Sequence, residues 1–345
     1  MQLTIIIPTY NERENITILI ETIENTLKDI KHQIIVIDDN SPDGTADVVE
    51  ALITRYCNIS VIRRPTKLGL ASAILAGIEV SKGDVIVVMD ADLQHPPELV
   101  LKMFEAIKVQ DIVIASRYIM GGKIEGWSAL RRVASRGAIK LAHLLLPQTR
   151  RVKDPVSGYF MFKRKILSDI QFEGVGYKFL TEILVRCPEA RVIEIPYTFR
   201  PRKAGKSKLD VKDYYRYAIL CLKLAGYRPA KFALVGASGI AVNEGILHML
   251  VSIGIPIFLA SPIAIEASIL NNFIWNDRWT FRDRREKKYM LRCLNFHGAT
   301  LVGSIINYLI LLILSGIGLS YLFSNLIGIL LGFIMNYFLS EAYVW

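Results

Sequence analysis

The chain has 345 residues, long enough for two domains. Its net charge of +10, from 42 basic and 32 acidic residues, points to nucleic acid, anionic lipid heads or phosphorylated substrates; beside a membrane-like second half, the latter two lead. The four cysteines (Cys57, Cys187, Cys221, Cys293) have no C-x-x-C spacing, which argues against a disulfide framework and a zinc site.

Leu3-Thr4-Ile5-Ile6-Ile7 is a β-branched strand running straight into Pro8. No basic region followed by a signal-peptide apolar core precedes it, so the N-terminal domain is expected in the cytoplasm. Strands over 3–7, 33–38, 59–62, 84–89 and 111–115 alternate with helices over 15–29, 45–56, 70–81 and 98–108. That alternation predicts an α/β fold, a parallel sheet with helices on both faces. No G-x-G-x-x-G or Walker A sequence is present, so neither a dinucleotide site nor a P-loop is supported.

Polar residues sit where the strands end: Pro8-Thr9-Tyr10-Asn11-Glu12, Asp38-Asp39-Asn40-Ser41 and Asp90-Ala91-Asp92-Leu93-Gln94. In parallel sheets such ends converge on one crevice. Asp90 and Asp92 with the Gln94 amide form a hard oxygen set that suits Mg²⁺ or Mn²⁺ shared with substrate phosphates. The competing reading makes them turn and helix-cap residues before Pro96-Pro97. Caps alone do not account for a doubled acid at 38–39 together with a pair at 90 and 92.

Two basic amphipathic helices follow. In 129–146, Arg132, Arg136 and Lys140 lie opposite Leu130, Val133, Ala134, Leu141 and Leu145. In 211–225, Lys212, Arg216 and Lys223 lie opposite Tyr215, Ile219 and Leu222. Either could rest on a membrane surface or be an ordinary half-buried helix. Between them, Arg200-Pro201-Arg202-Lys203-Ala204-Gly205-Lys206-Ser207-Lys208 is a solvated loop or an anion clamp that closes over phosphate.

Composition turns apolar near Gly226. Stretches at about 232–254, 256–276, 296–316 and 321–342 each approach the ~20 residues that cross a hydrocarbon core. The loop between the second and third carries Arg278, Arg282, Arg284, Arg285, Lys287, Lys288 and Arg292, and the other two loops are uncharged. The positive-inside rule then places that loop and both termini in the cytoplasm. Asn243, Glu244, Glu266, Asn271, Asn272, Asn307 and Asn336 inside the spans suggest helix packing or a transport path.

The motifs Pro8-Thr9-Tyr10-Asn11-Glu12, Asp38-Asp39-x-Ser41-Pro42-Asp43, Asp90-Ala91-Asp92-Leu93-Gln94-His95-Pro96-Pro97, Ser116-Arg117-Tyr118, Asp154-Pro155-x-Ser157-Gly158 and Gly205-x-Ser207-Lys208, in this order, resemble an inverting family 2 glycosyltransferase of the GT-A fold. Within that family the chain is most similar to dolichol-phosphate mannose synthases, and its C-terminal part resembles the GtrA-like membrane domain. The resemblance implies a GT-A (Rossmann-like) domain over 1–210, an amphipathic interface helix and linker over 211–228, and four transmembrane helices over 229–345. It implies GDP-mannose as donor, a dolichyl or other polyprenyl phosphate as acceptor, a lipid bilayer as partner, no nucleic acid, and Mg²⁺ or Mn²⁺ as cofactor. Pro8, Tyr10, Glu12 and Asp39 would hold the nucleoside. Asp90, Ala91, Asp92 and Gln94 would surround metal and sugar, and Arg117, Arg131, Ser135, Arg202 and Lys208 the phosphates of donor and acceptor. Lys178 is a further candidate on the acceptor side. Asp90, Asp92, Arg117 and Arg202 are the expected catalytic set. The Q-x-x-R-W motif of processive synthases is absent. Two alternatives stay open: a UDP-sugar donor with the same acceptor, and a lipid-sugar flippase with a regulatory soluble half.

Overall fold

The computed structural model describes residues 1–168, 170, 172, 178–201, 211–319 and 321–345. It divides into two compact units, Met1–Ala225 and Gly226–Trp345. The first unit takes in the amphipathic helix over 211–225 that the sequence sets apart as a linker.

The first unit alternates strand and helix: β1 (Leu3–Thr9), α1 (Arg13–Thr26), β2 (His32–Asp38), α2 (Thr45–Ile53), β3 (Ile59–Arg63), α3 (Leu70–Val80), β4 (Val85–Val88), α4 (Leu99–Ala106) and β5 (Ile112–Ser116). There follow β6 (Lys123–Ile124), α5 (Ala129–Leu145), β7 (Phe160–Lys163), α6 (Phe179–Arg186), β8 (Val192–Pro196), β9 (Thr198–Phe199) and α7 (Val211–Leu224). The main sheet has seven strands in the order β3-β2-β1-β4-β7-β5-β8, and β6 pairs with β9 in a separate ribbon. β1 lies parallel to β2 and to β4, so the direction of winding reverses between β1 and β4 and opens a crevice at their carboxyl ends.

The sheet is mixed rather than wholly parallel. β7 runs antiparallel to both β4 and β5. The chain leaves β5 at its carboxyl end, forms α5, and re-enters the sheet from that same edge, so β7 must run the opposite way. The segment entering β7, Asp154–Tyr159, is thereby delivered to the crevice.

Successive strand residues feed opposite layers. Ile5, Ile7, Val36 and Val87 pack with Leu19, Ile20 and Ile23 of α1, while Ile6, Ile35, Ile86 and Val88 pack with Ile74 of α3 and Leu180 and Ile183 of α6. Cover on both faces is why these strands read as continuous apolar runs.

The two basic helices are each partly buried. α5 and α7 bury Ile139, Ala142, Leu145, Tyr217, Leu220 and Cys221 in one cluster. Leu130 (79% exposed), Val133 (67%) and Tyr215 (69%) stay outside it, because the α5–α7 contact begins only near Ile139. They share the surface with exposed Arg132, Arg136, Lys212 and Arg216.

The second unit contains α8 (Arg228–Ser252), α9 (Ile257–Trp275), a π-turn (Asn276–Thr280), α10 (Tyr289–Gly316), α11 (Tyr321–Leu339) and a second π-turn (Ser340–Val344). Each expected span falls on one of these helices. Among the described residues, Arg228–Ser252 is the one helix long and apolar enough, by length and composition alone, to cross a membrane. Asn271 Nδ2 donates to Ser238 Oγ (3.1 Å) and Glu266 meets His297 (3.0 Å), so these polar groups join helices.

Candidate active site

Three strand ends are each followed by a non-glycine residue in the left-handed region: Asn11 (φ 54°), Asn40 (φ 56°) and Leu93 (φ 62°). Asparagine tolerates this conformation, whereas a leucine there is strained and must be held by its surroundings. Such reversals turn the chain sharply across the top of the sheet.

At the end of β2, Asp38 accepts from Thr9 Oγ1 (3.0 Å) and from the Ser41 N–H (2.8 Å) and Oγ (2.5 Å), so it ties β1 to the β2 turn. Buried Asp39 is held by Arg64 and the Gly69 N–H (3.0 Å), and Arg64 donates onward to Ser72 Oγ (2.7 Å). The Glu12 carboxylate accepts from Asn15 Nδ2 (2.8 Å) and its N–H donates to Thr45 Oγ1 (2.9 Å), bracing α1 against α2. Pro8 lies within β1, paired with Ile37. The Lys67 ammonium sits 4.0 Å over the Tyr10 ring. Asp39 and Glu12 therefore also frame the loops that carry Tyr10 and Lys67.

The end of β4 carries the paired acids. Asp92 is buried and its Oδ1 accepts from the Gln94 N–H (3.1 Å), so the turn-forming role weighed from sequence is real for one of its oxygens. Ala91 is buried beside it. The Asp90 side chain is 40% exposed and faces the crevice mouth. His95 Nδ1 accepts from the Asp90 N–H (3.0 Å), which leaves the ring proton on Nε2, 3.8 Å from Asp90 Oδ2. Burial pushes the imidazole down to about 4, so it is neutral at physiological pH. Its ring stacks on Tyr159 (4.9 Å) with Tyr197 and Phe199 edge-on. A Cβ at Gly158 would lie 3.3 Å from Asp90 Oδ2 and 3.5 Å from His95 Cε1, so the start of β7 backs directly onto the carboxylate. Tyr159 Oη donates to the Pro96 carbonyl (3.0 Å) and completes the clamp.

Cations gather beside the acids. Arg117 is buried and bidentate with Asp154, at 2.8 Å for each contact. The Trp127 ring lies between Arg117 and Arg131, at 5.4 and 4.3 Å. Ser135 Oγ accepts from Tyr118 Oη (2.9 Å). Burial, and then the neighbouring Arg117 charge, push Lys178 down to about 8, while Asp90 opposes the shift. Tyr197 Oη is buried without a partner among the described residues. Burial pushes this phenol well up from its usual range, and the Arg117 charge pulls it back.

Gln94 Nε2 donates to the Arg200 carbonyl (2.9 Å) and the Arg200 N–H donates to the Gln94 carbonyl (3.3 Å). Gln94 thus anchors the chain just before the cationic loop. Arg202 and Lys208 lie outside the described residues. A cavity of about 550 Å³ is lined by Ile18, Thr22, Leu93 and Arg200 among others, and by none of the carboxylates or cations expected to act.

The sequence reading missed Asp154 as the counter-charge of Arg117, and Trp127, Lys67 and Arg64. The motifs Asp90-Ala91-Asp92-Leu93-Gln94-His95-Pro96-Pro97 and Asp154-Pro155-x-Ser157-Gly158 did signal His95, whose ring takes the Asp90 N–H, and Asp154. Two carboxylates without soft donors fit Mg²⁺ or Mn²⁺. Among the described residues no three His, Cys, Asp or Glu side chains cluster as a cation site.

Residues 4–171 match the glycosyl transferase family 2 model, and residues 231–345 match the GtrA/DPMS transmembrane domain. A dolichol-phosphate mannosyltransferase of Pyrococcus furiosus is 44% identical over 351 residues, covering 100% of this chain and 99% of the relative. One of Saccharomyces cerevisiae is 35% identical over 229 residues, covering 63% of this chain and 84% of its own. The fold is shared with glucosyl-3-phosphoglycerate synthase from Mycobacterium tuberculosis, crystallised with Mn²⁺, UDP and glucosyl-3-phosphoglycerate (TM-score 0.52, 19% identity, 65% of this chain and 80% of that one).

Proposed function

This chain belongs to the dolichol-phosphate mannosyltransferases of glycosyl transferase family 2, and from that premise we propose that it moves mannose, with inversion, from GDP-mannose to a dolichyl or other polyprenyl phosphate. The observation that carries the proposal is the meeting of the β4-end carboxylates, Asp90 and Asp92, with the Arg117–Arg131–Lys178 cation group.

Charge supplies the mechanism. A lipid monophosphate has a second pKa near ~6 and is already a dianion at neutral pH. It can attack the anomeric carbon without a general base. Buried, neutral His95 instead braces the turn, accepting from the Asp90 backbone N–H. The work of the protein is to bring two anions together. Arg117, Arg131, Ser135 and Lys178 are the acceptor-side groups, and the family motif would add Arg202 and Lys208 for the phosphates of donor and acceptor. Tyr10, Glu12 and Asp39 frame the nucleoside, with Lys67 over Tyr10 as a further cation. Asp90, Asp92 and Gln94 would hold Mg²⁺ or Mn²⁺, which when bound neutralises charge on the leaving diphosphate. Asp154 fixes the direction of the Arg117 fork.

The GtrA/DPMS domain makes this a membrane protein. Its orientation is part of the proposal: four spans, with the catalytic domain and both termini cytoplasmic. Exposed Trp275, Trp279, Tyr289 and Tyr343 near the basic loop suit a headgroup-level belt. Exposed Leu130, Val133 and Tyr215 among arginines and lysines suit contact of α5 and α7 with the bilayer surface.

The test is transfer of labelled sugar to dolichyl phosphate by purified protein in detergent, comparing GDP-mannose with UDP-glucose. Lipid labelled from GDP-mannose, and lost on adding EDTA, is the expected result. Labelling from UDP-glucose alone would replace the donor, and labelling from neither would refute the transfer.

A further inference from the structure

The second unit carries an internal correspondence at one constant spacing. Each residue n from 228 to 281 has a counterpart at n + 64, with no insertion or deletion. Arg228, Phe232, Gly239, Asn243, Gly254 and Asn272 recur as Arg292, Phe296, Gly303, Asn307, Gly318 and Asn336. α9 (Ile257–Trp275) maps onto α11 (Tyr321–Leu339), and the π-turn Asn276–Thr280 onto Ser340–Val344. The hairpin glycines, Gly254 (φ 89°) and Gly318 (φ 93°), share a left-handed conformation. A side chain at Gly239 would run into Asn272, and one at Gly303 into Asn336.

Contacts between the two halves are reciprocal. Arg292 of the second half pairs with Asp277 of the first (2.7 Å), and Arg228 of the first pairs with Glu341 of the second (3.4 Å). Phe232 meets Tyr337 (5.5 Å) as Phe296 meets Phe273 (5.9 Å). Phe281 and Trp345, counterparts of each other, stack face to face at 4.3 Å and 12°. A residue that touches its own counterpart lies on a two-fold axis. Each half is one helical hairpin, so the halves run in the same sense and the axis lies along the helices.

We propose that the membrane domain is one α-helical hairpin used twice, the two copies latched at one end by exchanging an arginine for the other's carboxylate, with Phe281 and Trp345 on the axis. Both carboxylates sit in π-turns, a departure from regular helix that is common where a side chain must be re-aimed. A buried ion pair is a weak source of stability but a good specifier of register, because a slipped pairing leaves charges uncompensated. The latch therefore sets which hairpin faces fit together. The inference concerns the membrane domain alone and stands whether or not the donor is GDP-mannose.

The test uses the full chain in detergent. In the Phe281→Cys/Trp345→Cys variant, a short bismaleimide should link the two positions within one chain, read as a joined 281–345 peptide by mass spectrometry. Labelling of both thiols without that link would overturn the two-fold arrangement. Separately, Arg292→Glu should lower the thermal midpoint, and adding Asp277→Arg should recover at least half of the loss. A double variant no better than the single one would overturn the latch. Should the single variant fail to fold, recovery of folded protein in the double variant supports the exchange, and its absence counts against it.

Discussion

Gly158→Ala probes how tightly the start of β7 controls Asp90. The added Cβ would stand 3.3 Å from Asp90 Oδ2, 3.5 Å from His95 Cε1 and 3.8 Å from Asp90 Cγ. His95 is fully buried and stacked on Tyr159, so it cannot give way, whereas the Asp90 carboxylate is 40% exposed and can. The carboxylate should therefore retreat by a few tenths of an ångström. If a 1 Å misplacement costs on the order of 10²-fold, a shift of that size should lower kcat/KM about five- to tenfold, or ~1.0–1.4 kcal/mol. The assay is initial-rate transfer in detergent across a Mg²⁺ series, with the thermal midpoint measured alongside. We expect lower kcat/KM and a higher half-saturating Mg²⁺ concentration, with the midpoint moved by no more than about 2 °C. Unchanged kcat/KM and unchanged metal dependence would refute the reasoning. A fall in activity matched by a large fall in midpoint would assign Gly158 to the folding of β7 instead.

Asp154→Asn keeps the shape but removes the charge opposite buried Arg117, so stability should fall by about 3–5 kcal/mol, with a clear drop in thermal midpoint. An unshifted melting curve would contradict that ion-pair account. Lys178, lowered to about 8 from its ordinary 10.5, binds fewer protons folded than unfolded between those values. By linkage its contribution makes the protein more stable as pH rises through that window. Its charge, however, is lost above about pH 8, so kcat/KM for the lipid phosphate should decline there, and Lys178→Arg should abolish the decline; an identical profile in the two proteins would refute a charged role. Asp92→Ala should abolish turnover while the protein stays folded by circular dichroism, and near-normal transfer would remove Asp92 from the metal site.

Much of the architecture was legible because it rests on local patterns. β-branched runs such as Leu3–Ile7, amphipathic periods such as that of α1, and turn residues such as Asn11 and Asn40 act over a few positions. β7 escaped this reading: Phe160-Met161-Phe162-Lys163 is too short to declare itself, and its antiparallel direction follows only from the path of the chain around α5. What covers Leu130, Val133 and Tyr215 was not legible, because helical periodicity defines a face but not what lies against it. The 64-residue correspondence is also written in the chain, yet its identities are sparse, and the crossed pairs Arg228–Glu341 and Arg292–Asp277 give it meaning.

The sequence by itself determined the order of elements, the acids at strand ends, and the apolar second half with its basic loop, since these depend on residue type and spacing along the chain. Tertiary structure alone decided the partners: His95 behind Asp90, Asp154 gripping Arg117, Gly158 against the carboxylate, and Phe281 on Trp345. Hydrogen bonds and ion pairs act over about 3 Å in space. Residues separated by dozens of positions therefore acquire a common role only once the fold has brought them together.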